Sequence, residues 1–313
     1  MASTHIRHVL IIDDRGDALA AYLSARRTEL VCRVRTATTV ADGDSRWADA
    51  VVGFATPISC EGSSVRWVHS TGAGVDALLG PRRWPDGITL TRTTGALGDR
   101  MAEYCVGHAL AVCQRVLPFH RDQRVGRWAP VEPITMRGTT AVIIGTGSVG
   151  SAIAGQFKAL GCTTIGISRS GRTAPSFDQL YPVDRLSSRV QGARWLVLAA
   201  PLTPLTRGLV DATVLGRCRD TVVINVARGG LLDTTALLDA LHAGTVTGAV
   251  LDVFDTEPLP SDSPLWHTDG VVVTPHVAGV THVEEAGEAF LDALAHVESG
   301  RRPPSAVDPT RGY

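Results

Sequence analysis

Lysine is almost missing from this chain of 313 residues with 30 lysines and arginines. Lys158 is the only one, and it falls in the middle of the helical pattern Ser148 to Leu160. That counts against chemistry needing a catalytic lysine, including the amino-acid dehydrogenases of the lysine type and the Tyr-x-x-x-Lys short-chain reductases, for which no such pair exists here. Cysteine is present but unorganised. Cys32, Cys60, Cys105, Cys113, Cys162 and Cys218 form no CxxC pair and no zinc or disulfide spacing, so buried free thiols and no metal site are expected. Neither sign of charge is in excess. A net charge of −1 gives no general electrostatic case for binding nucleic acid or anionic membranes. Long apolar runs are lacking as well. Val142 to Ile144 and Val271 to Val273 are short and bounded by Gly, Thr or Pro, which suits buried strands and not a membrane span. Met1 to His8 has no apolar core of the signal-peptide kind, so a cytoplasmic location is expected.

What is there is enough apolar residue, 44%, to fill two lobes. From Val9 to about Thr94, short apolar runs (Val9 to Ile12, Ala50 to Phe54, Trp67 to Val68, Ile88 to Leu90) alternate with helix-compatible and turn segments, the pattern of a parallel α/β lobe. A helical pattern then runs from near Asp99 through Ala102, Val106, Ala109 and Val116, followed by a linker, Arg127 to Gly138, carrying Pro130 and Pro133. A second α/β block extends from Thr140 to about Thr274. The tail, Val283 to Val297, reads as helix, and Arg301 to Tyr313 as extended chain that packs back on the first lobe.

The strand Ala141 to Ile144 leads directly into Gly145-Thr146-Gly147-Ser148-Val149-Gly150 and a helix. In that context the first glycine makes a tight turn, the second admits a pyrophosphate to the backbone, and the third lets helix and strand pack closely. Ser148 and Val149 open the helix, whose free N–H groups face the phosphates. At the end of the next strand, where an acidic residue would select NAD, the chain reads Ser168-Arg169-Ser170 with Arg172 behind. A guanidinium and hydroxyls without a carboxylate favour a 2′-phosphate, hence NADP(H), with NAD(H) as a second option. The competing reading of Arg169 is an ordinary surface arginine.

Three later strands deliver polar residues to the edge where doubly wound sheets bind ligands. Thr221 to Asn225 leads into Val226-Ala227-Arg228-Gly229-Gly230, Ala249 to Leu251 into Asp252 and then Glu257, and Val271 to Thr274 into Pro275-His276. Singly, Arg228 can be a surface residue, Glu257 a solvated loop charge and His276 a satisfied histidine. Gathered beside a dinucleotide motif, they supply a carboxylate clamp and a proton donor with a carboxylate to orient it.

Over nearly its whole length the chain resembles the D-isomer-specific 2-hydroxyacid dehydrogenase family. The resemblance is carried by Trp67 to Asp76, Met101-Ala102-Glu103-Tyr104, the glycine fingerprint, Asn225 to Asp233, Leu251 to Pro260 and Thr274 to Gly279. Gly72-Ala73-Gly74-Val75-Asp76, Met101 to Tyr104, Ser168 to Ser170 and Ser263-Pro264-Leu265-Trp266 most resemble its glyoxylate/hydroxypyruvate reductase A subgroup. The resemblance implies Arg228 on the substrate carboxylate and carbonyl, His276 as acid/base, and Glu257 as its support. It implies Asp252 on the nicotinamide carboxamide, further cofactor contacts from Ala200, Pro201, Val226, Ala227 and His276, and the Ala73 and Gly74 N–H groups on the substrate carboxylate.

The resulting expectation is an α/β chain of two doubly wound parallel-sheet lobes, with a Rossmann-type cofactor domain (99–283, of which 99–138 are bridging helix and linker) inserted in a discontinuous flavodoxin-like substrate domain (1–98 and 284–313). The expected partners are a small 2-keto or 2-hydroxy acid, reduced or oxidised with NADP(H), and a second copy of the chain in a homodimer. In the loop after the second of the apolar runs, where some relatives carry a basic residue, Phe54-Ala55-Thr56-Pro57 stands. A phosphorylated substrate is thereby disfavoured, though another arginine could substitute. Two other readings stay open: a specialised dehydrogenase for an unusual acid, such as one bearing phosphorus in place of the carboxylate, and a cofactor-sensing protein akin to corepressors of the family. The chain lacks the long polar tails or partner-binding extension that would favour the second.

Overall fold

The structure, a computed structural model, describes residues 5–55, 60, 62–80, 83–169 and 174–312. It divides into two compact units, one of residues 1–97 with 281–313 and one of residues 98–280.

In the first unit, β1 (His8–Ile12), β2 (Val31–Arg35), β3 (Ala50–Gly53), β4 (Trp67–Ser70) and β5 (Thr89–Arg92) form an all-parallel sheet of order β2-β1-β3-β4-β5. Side chains alternate between its faces. Val9, Ile11 and Trp67 pack on one side with Leu19 and Leu23 of the Gly16–Arg26 helix and with Phe290 and Leu294 of the Val283–Glu298 helix. Leu10, Val51, Val68 and Leu90 pack on the other side, with Val307 of the tail. Because both faces are covered, β1 and β3 read as nearly continuous apolar runs. The tail closes the β5 edge: Val307 N donates to Leu90 O at 2.8 Å and Arg92 N to Ser305 O at 3.2 Å.

The second unit holds β6 (Thr140–Ile144), β7 (Thr163–Ser168), β8 (Gln179–Pro182), β9 (Trp195–Leu198), β10 (Thr221–Asn225), β11 (Val246–Leu251) and β12 (Val271–Val273) in one parallel sheet of order β12-β11-β10-β9-β6-β7-β8. The order reverses between β6 and β9, and that switch point opens a crevice at the C-terminal edge. Two parallel sheets with helices are the fold class the sequence implied.

The helix read from Asp99 to Val116 is two helices, Leu97–Cys113 and Val116–Arg124, parted at Arg115 with φ +54°. Pro118 explains the break. Inside a continuous helix it would remove a hydrogen bond and crowd the carbonyl of residue 114, whereas in a first turn it does neither. Cys105, Cys113, Cys162 and Cys218 are buried free thiols, and Cys32 and Cys60 are half-buried ones. Among the described residues, no helix is long and apolar enough to cross a membrane.

His69 of β4 is wholly buried. Its Nδ1 lies 2.7 Å from Thr91 Oγ1 and its Nε2 3.1 Å from Thr93 Oγ1. Thr93 spends its proton on Ser70 O, so Nε2 is the donor and Nδ1 accepts from Thr91. Burial holds the imidazole down at about 3, against 6.5 for a free histidine. The folded value is thus depressed below the unfolded one, so the neutral ring's contribution is complete above about pH 6.5 and is lost as pH falls from there towards 3. Denaturant unfolding between pH 6 and 4 should show wild type losing up to about 1.4 kcal/mol per pH unit more than a His69→Gln variant. Parallel pH dependences of the two proteins would refute this role for the ring.

Candidate active site

The loops after β10, β11 and β12, neighbours in the seven-stranded sheet, carry Arg228, Glu257 and His276 to one edge. At the end of β10 the Asn225 amide shapes the turn, donating to Arg228 O at 3.0 Å and accepting from Ala227 N at 3.1 Å. The half-buried Arg228 reaches back to Ala227 O at 2.7 Å. His276 Nδ1 stands 2.7 Å from Glu257 Oε2, and Glu257 Oε1 accepts Phe254 N at 2.9 Å. A carboxylate bound at both oxygens holds the ring in one orientation, with Nδ1–H as donor and Nε2 turned outward. The histidine keeps 40% of its side-chain surface open, enough for a small molecule to reach Nε2.

Asp252, almost without exposure, ties the β12 loop to the end of β11. Its Oδ1 accepts Thr274 Oγ1 at 2.6 Å and Val277 N at 2.9 Å, its Oδ2 accepts Ala278 N at 2.9 Å, and its carbonyl accepts His276 N at 2.9 Å. His276 itself sits at φ +54°, in the left-handed region that a side chain adopts only when its surroundings impose it.

The glycine fingerprint lies at the switch point. Gly145, at φ +104°, lets the turn after β6 meet the end of β9, where a Cβ would come 2.6 Å from Ala199 O. A Cβ on Gly150 would collide with Gly145 O. The Ser148–Ala159 helix starts beneath this turn with Gly147 as its cap, no side chain caps it, and a Cβ on Gly147 would meet open space. Helix N–H groups facing open space beside a side-chain-free turn fit the pyrophosphate of a dinucleotide. Ala200 and Pro201 follow β9, and Val226 and Ala227, both buried, follow β10. Ser168 ends β7 with Arg169 exposed beyond it, whereas Ser170 and Arg172 lie outside the described residues, as do Thr56 and Pro57. Among the described residues, no group of three or more His, Cys, Asp or Glu could hold a metal ion.

In the first unit, Ala73 and Gly74 belong to the turn after β4, which Ser70 Oγ ties by accepting Gly72 N at 3.2 Å and donating to Gly74 O at 3.1 Å. Arg92, half-buried at the end of β5, donates to Ala73 O at 3.4 Å, and the Phe54 ring covers Gly72. Sequence reasoning assigned nothing to Arg92, Tyr104 or Thr274. Tyr104 OH stands 2.6 Å from Thr274 Oγ1, a pair separated by 170 positions that no local pattern could have joined.

Residues 106–278 match the sequence profile of the D-isomer specific 2-hydroxyacid dehydrogenase NAD binding domain. The chain is 34% identical over 281 residues to glyoxylate/hydroxypyruvate reductase A of Yersinia enterocolitica, covering 87% of this chain and 90% of that one. A D-isomer specific 2-hydroxyacid dehydrogenase from Xanthobacter autotrophicus Py2, solved with NADPH and MES, superposes with a TM-score of 0.90 at 31% identity, covering 99% of this chain and 100% of that one. The NADPH-dependent glyoxylate/hydroxypyruvate reductase of Sinorhizobium meliloti, solved with NADP and sulfate, superposes with a TM-score of 0.86 at 27% identity, covering 98% and 100%.

With the ring aimed by Glu257, His276→Asn should lower kcat/KM for 2-keto acid reduction by about 10²–10⁴, the range of a lost general acid, while the dissociation constant of the dinucleotide stays within about twofold. Glu257→Gln keeps a partner for Nδ1 but not its charge, and should fall between that variant and wild type. Undiminished turnover in the His276 variant would remove the histidine from the chemistry.

Proposed function

The chain belongs to the D-isomer specific 2-hydroxyacid dehydrogenase family, and from that membership we propose that it reduces a small 2-keto acid of the glyoxylate or hydroxypyruvate kind with NADPH. The observation that carries this reading is the His276–Glu257 pair at 2.7 Å, on the same sheet edge as Arg228 and the glycine cradle. Residues 98–280 hold the dinucleotide through Gly145, Gly147, Ser148, Val149 and Gly150 at the pyrophosphate and through Ser168 and Arg169 at the 2′-phosphate. Ala200, Pro201, Val226 and Ala227 line its path. Asp252 Oδ2, which takes Ala278 N, has a lone pair left for the carboxamide. When bound, the nicotinamide supplies hydride to the keto carbon.

The chain's own groups do the rest. Arg228 pairs with the substrate carboxylate and stabilises charge developing on the carbonyl oxygen. His276 delivers the proton to that oxygen from Nε2, and Glu257 stabilises the orientation of the ring throughout. In the first unit, Ser70 and Arg92 steady the turn that carries Ala73 and Gly74. The Phe54 ring covers Gly72, and the sequence Phe54 to Pro57 carries no basic residue, in keeping with a small substrate that carries no phosphate.

Cofactor choice and substrate are tested together by steady-state rates with NADPH and NADH on a panel of 2-keto acids. A charge-assisted hydrogen bond contributes roughly 1.5–3 kcal/mol, so wild type should favour NADPH by about one to two orders of magnitude, and Arg169→Ala should lose most of that preference. Equal rates with both cofactors, or a preference that survives the substitution, would sink the assignment. Failure to turn over glyoxylate and hydroxypyruvate would move the substrate elsewhere in the family.

The protein pairs with a second copy of itself. Val116, Leu117, Val125, Trp128, Val131 and Ile134, all exposed, crowd into one stretch of chain, and Trp128 is 95% exposed. Apolar surface concentrated in this way marks an interaction site. Sedimentation at micromolar concentration should give a dimer for wild type and a monomer for Trp128→Asp; a monomeric wild type would refute the pairing.

A further inference from the structure

His276 stands on a backbone that its own side chain does not favour, so something must hold residues 274–278 in place. Three consecutive N–H groups, of His276, Val277 and Ala278, all end on Asp252, the first on its carbonyl and the others on its carboxylate. The carboxylate is held in turn. Thr274 donates to Oδ1 at 2.6 Å, and with its proton spent its oxygen can only accept from Tyr104 OH, also at 2.6 Å. Tyr104 lies in the Leu97–Cys113 helix, with its ring 4.4 Å from that of His108. Burial pushes the phenol above its ordinary range, so it remains a donor throughout working pH. A line of short hydrogen bonds thus runs from a long helix through a hydroxyl to a buried carboxylate and into the loop that carries the histidine.

We propose that Tyr104 and Thr274 are positioning residues that set the placement of His276 through Asp252. The proposal rests on His276 being the proton donor of the reaction. Neither hydroxyl needs to touch substrate or cofactor. Each limits how far the Asp252 carboxylate, and with it the 276–278 backbone, can turn, and displacement of a reacting group by a fraction of an ångström is enough to slow chemistry.

Single-turnover reduction and steady-state kinetics of Tyr104→Phe, Thr274→Val, Thr274→Ser and the Tyr104→Phe/Thr274→Val double variant, beside His276→Asn, test this. Tyr104→Phe and Thr274→Val should each slow the single turnover about 3- to 30-fold with either KM changed less than about twofold. Thr274→Ser, which keeps the hydroxyl, should restore the rate to within about twofold of wild type. The double variant should be no slower than Thr274→Val, because the two groups act in series. Wild-type rates in both single variants, while His276→Asn is inactive, would overturn the positioning role and leave the proposed function standing. A Thr274→Ser as slow as Thr274→Val, or losses that multiply in the double variant, would assign the effect to packing and overturn it too. Retained activity in His276→Asn would take down both.

Discussion

A carboxylate shut away from water must be given hydrogen bonds, since an unpaired buried charge costs far more than any single contact contributes. At Asp252 that requirement organises the second unit's working edge. The chain satisfies it by folding the segment after β12 back over the end of β11, and the donors it offers are the Thr274 hydroxyl just before the histidine and the N–H groups of Val277 and Ala278 just after it. The left-handed backbone at His276 is a by-product of this arrangement, and so is the direction of its side chain towards Glu257. Removing the carboxylate would leave those N–H groups unanswered as well as a hole at the loop's base.

The sheet supplies the other half of the geometry. Strands that all run the same way deliver every following loop to the same edge, so residues far apart in sequence converge without any specific contact between them. This is why so much of the site could be read from sequence. The fingerprint Gly145 to Gly150 follows an apolar strand, and Arg228, Asp252 and His276 each come within a few residues of a strand's end. Once the strands were recognised as parallel, the meeting of these groups followed.

What could not be read shows where local pattern stops carrying information. β2 was missed because Val31–Arg35 alternates with arginines and looks polar; it is an edge strand, and Arg33 and Arg35 lie against the buried Asp44 of a neighbouring segment at 2.7 and 3.2 Å. The break at Arg115 was hidden behind an apolar rhythm that continues across it, although Pro118 was its visible cause. The pairing of Tyr104 with Thr274 has no local signature at all, because it depends on where a helix rests against a sheet.

The tail that completes the first unit also decides when that unit can be completed. Phe290 stacks on Trp67 at 4.5 Å between ring centres, and Leu294 and Val307 fill the two faces of a sheet whose strands end at Arg92. On the ribosome the first strands emerge well before these partners. The contiguous unit of residues 98–280 therefore has its whole sequence available first, and the N-terminal sheet waits with Trp67 uncovered. At bacterial or eukaryotic elongation rates of about 5–20 residues per second, that wait is roughly ten to forty seconds. Completion of the two units thus runs against the order of synthesis, and for that interval the nascent first unit keeps apolar surface uncovered.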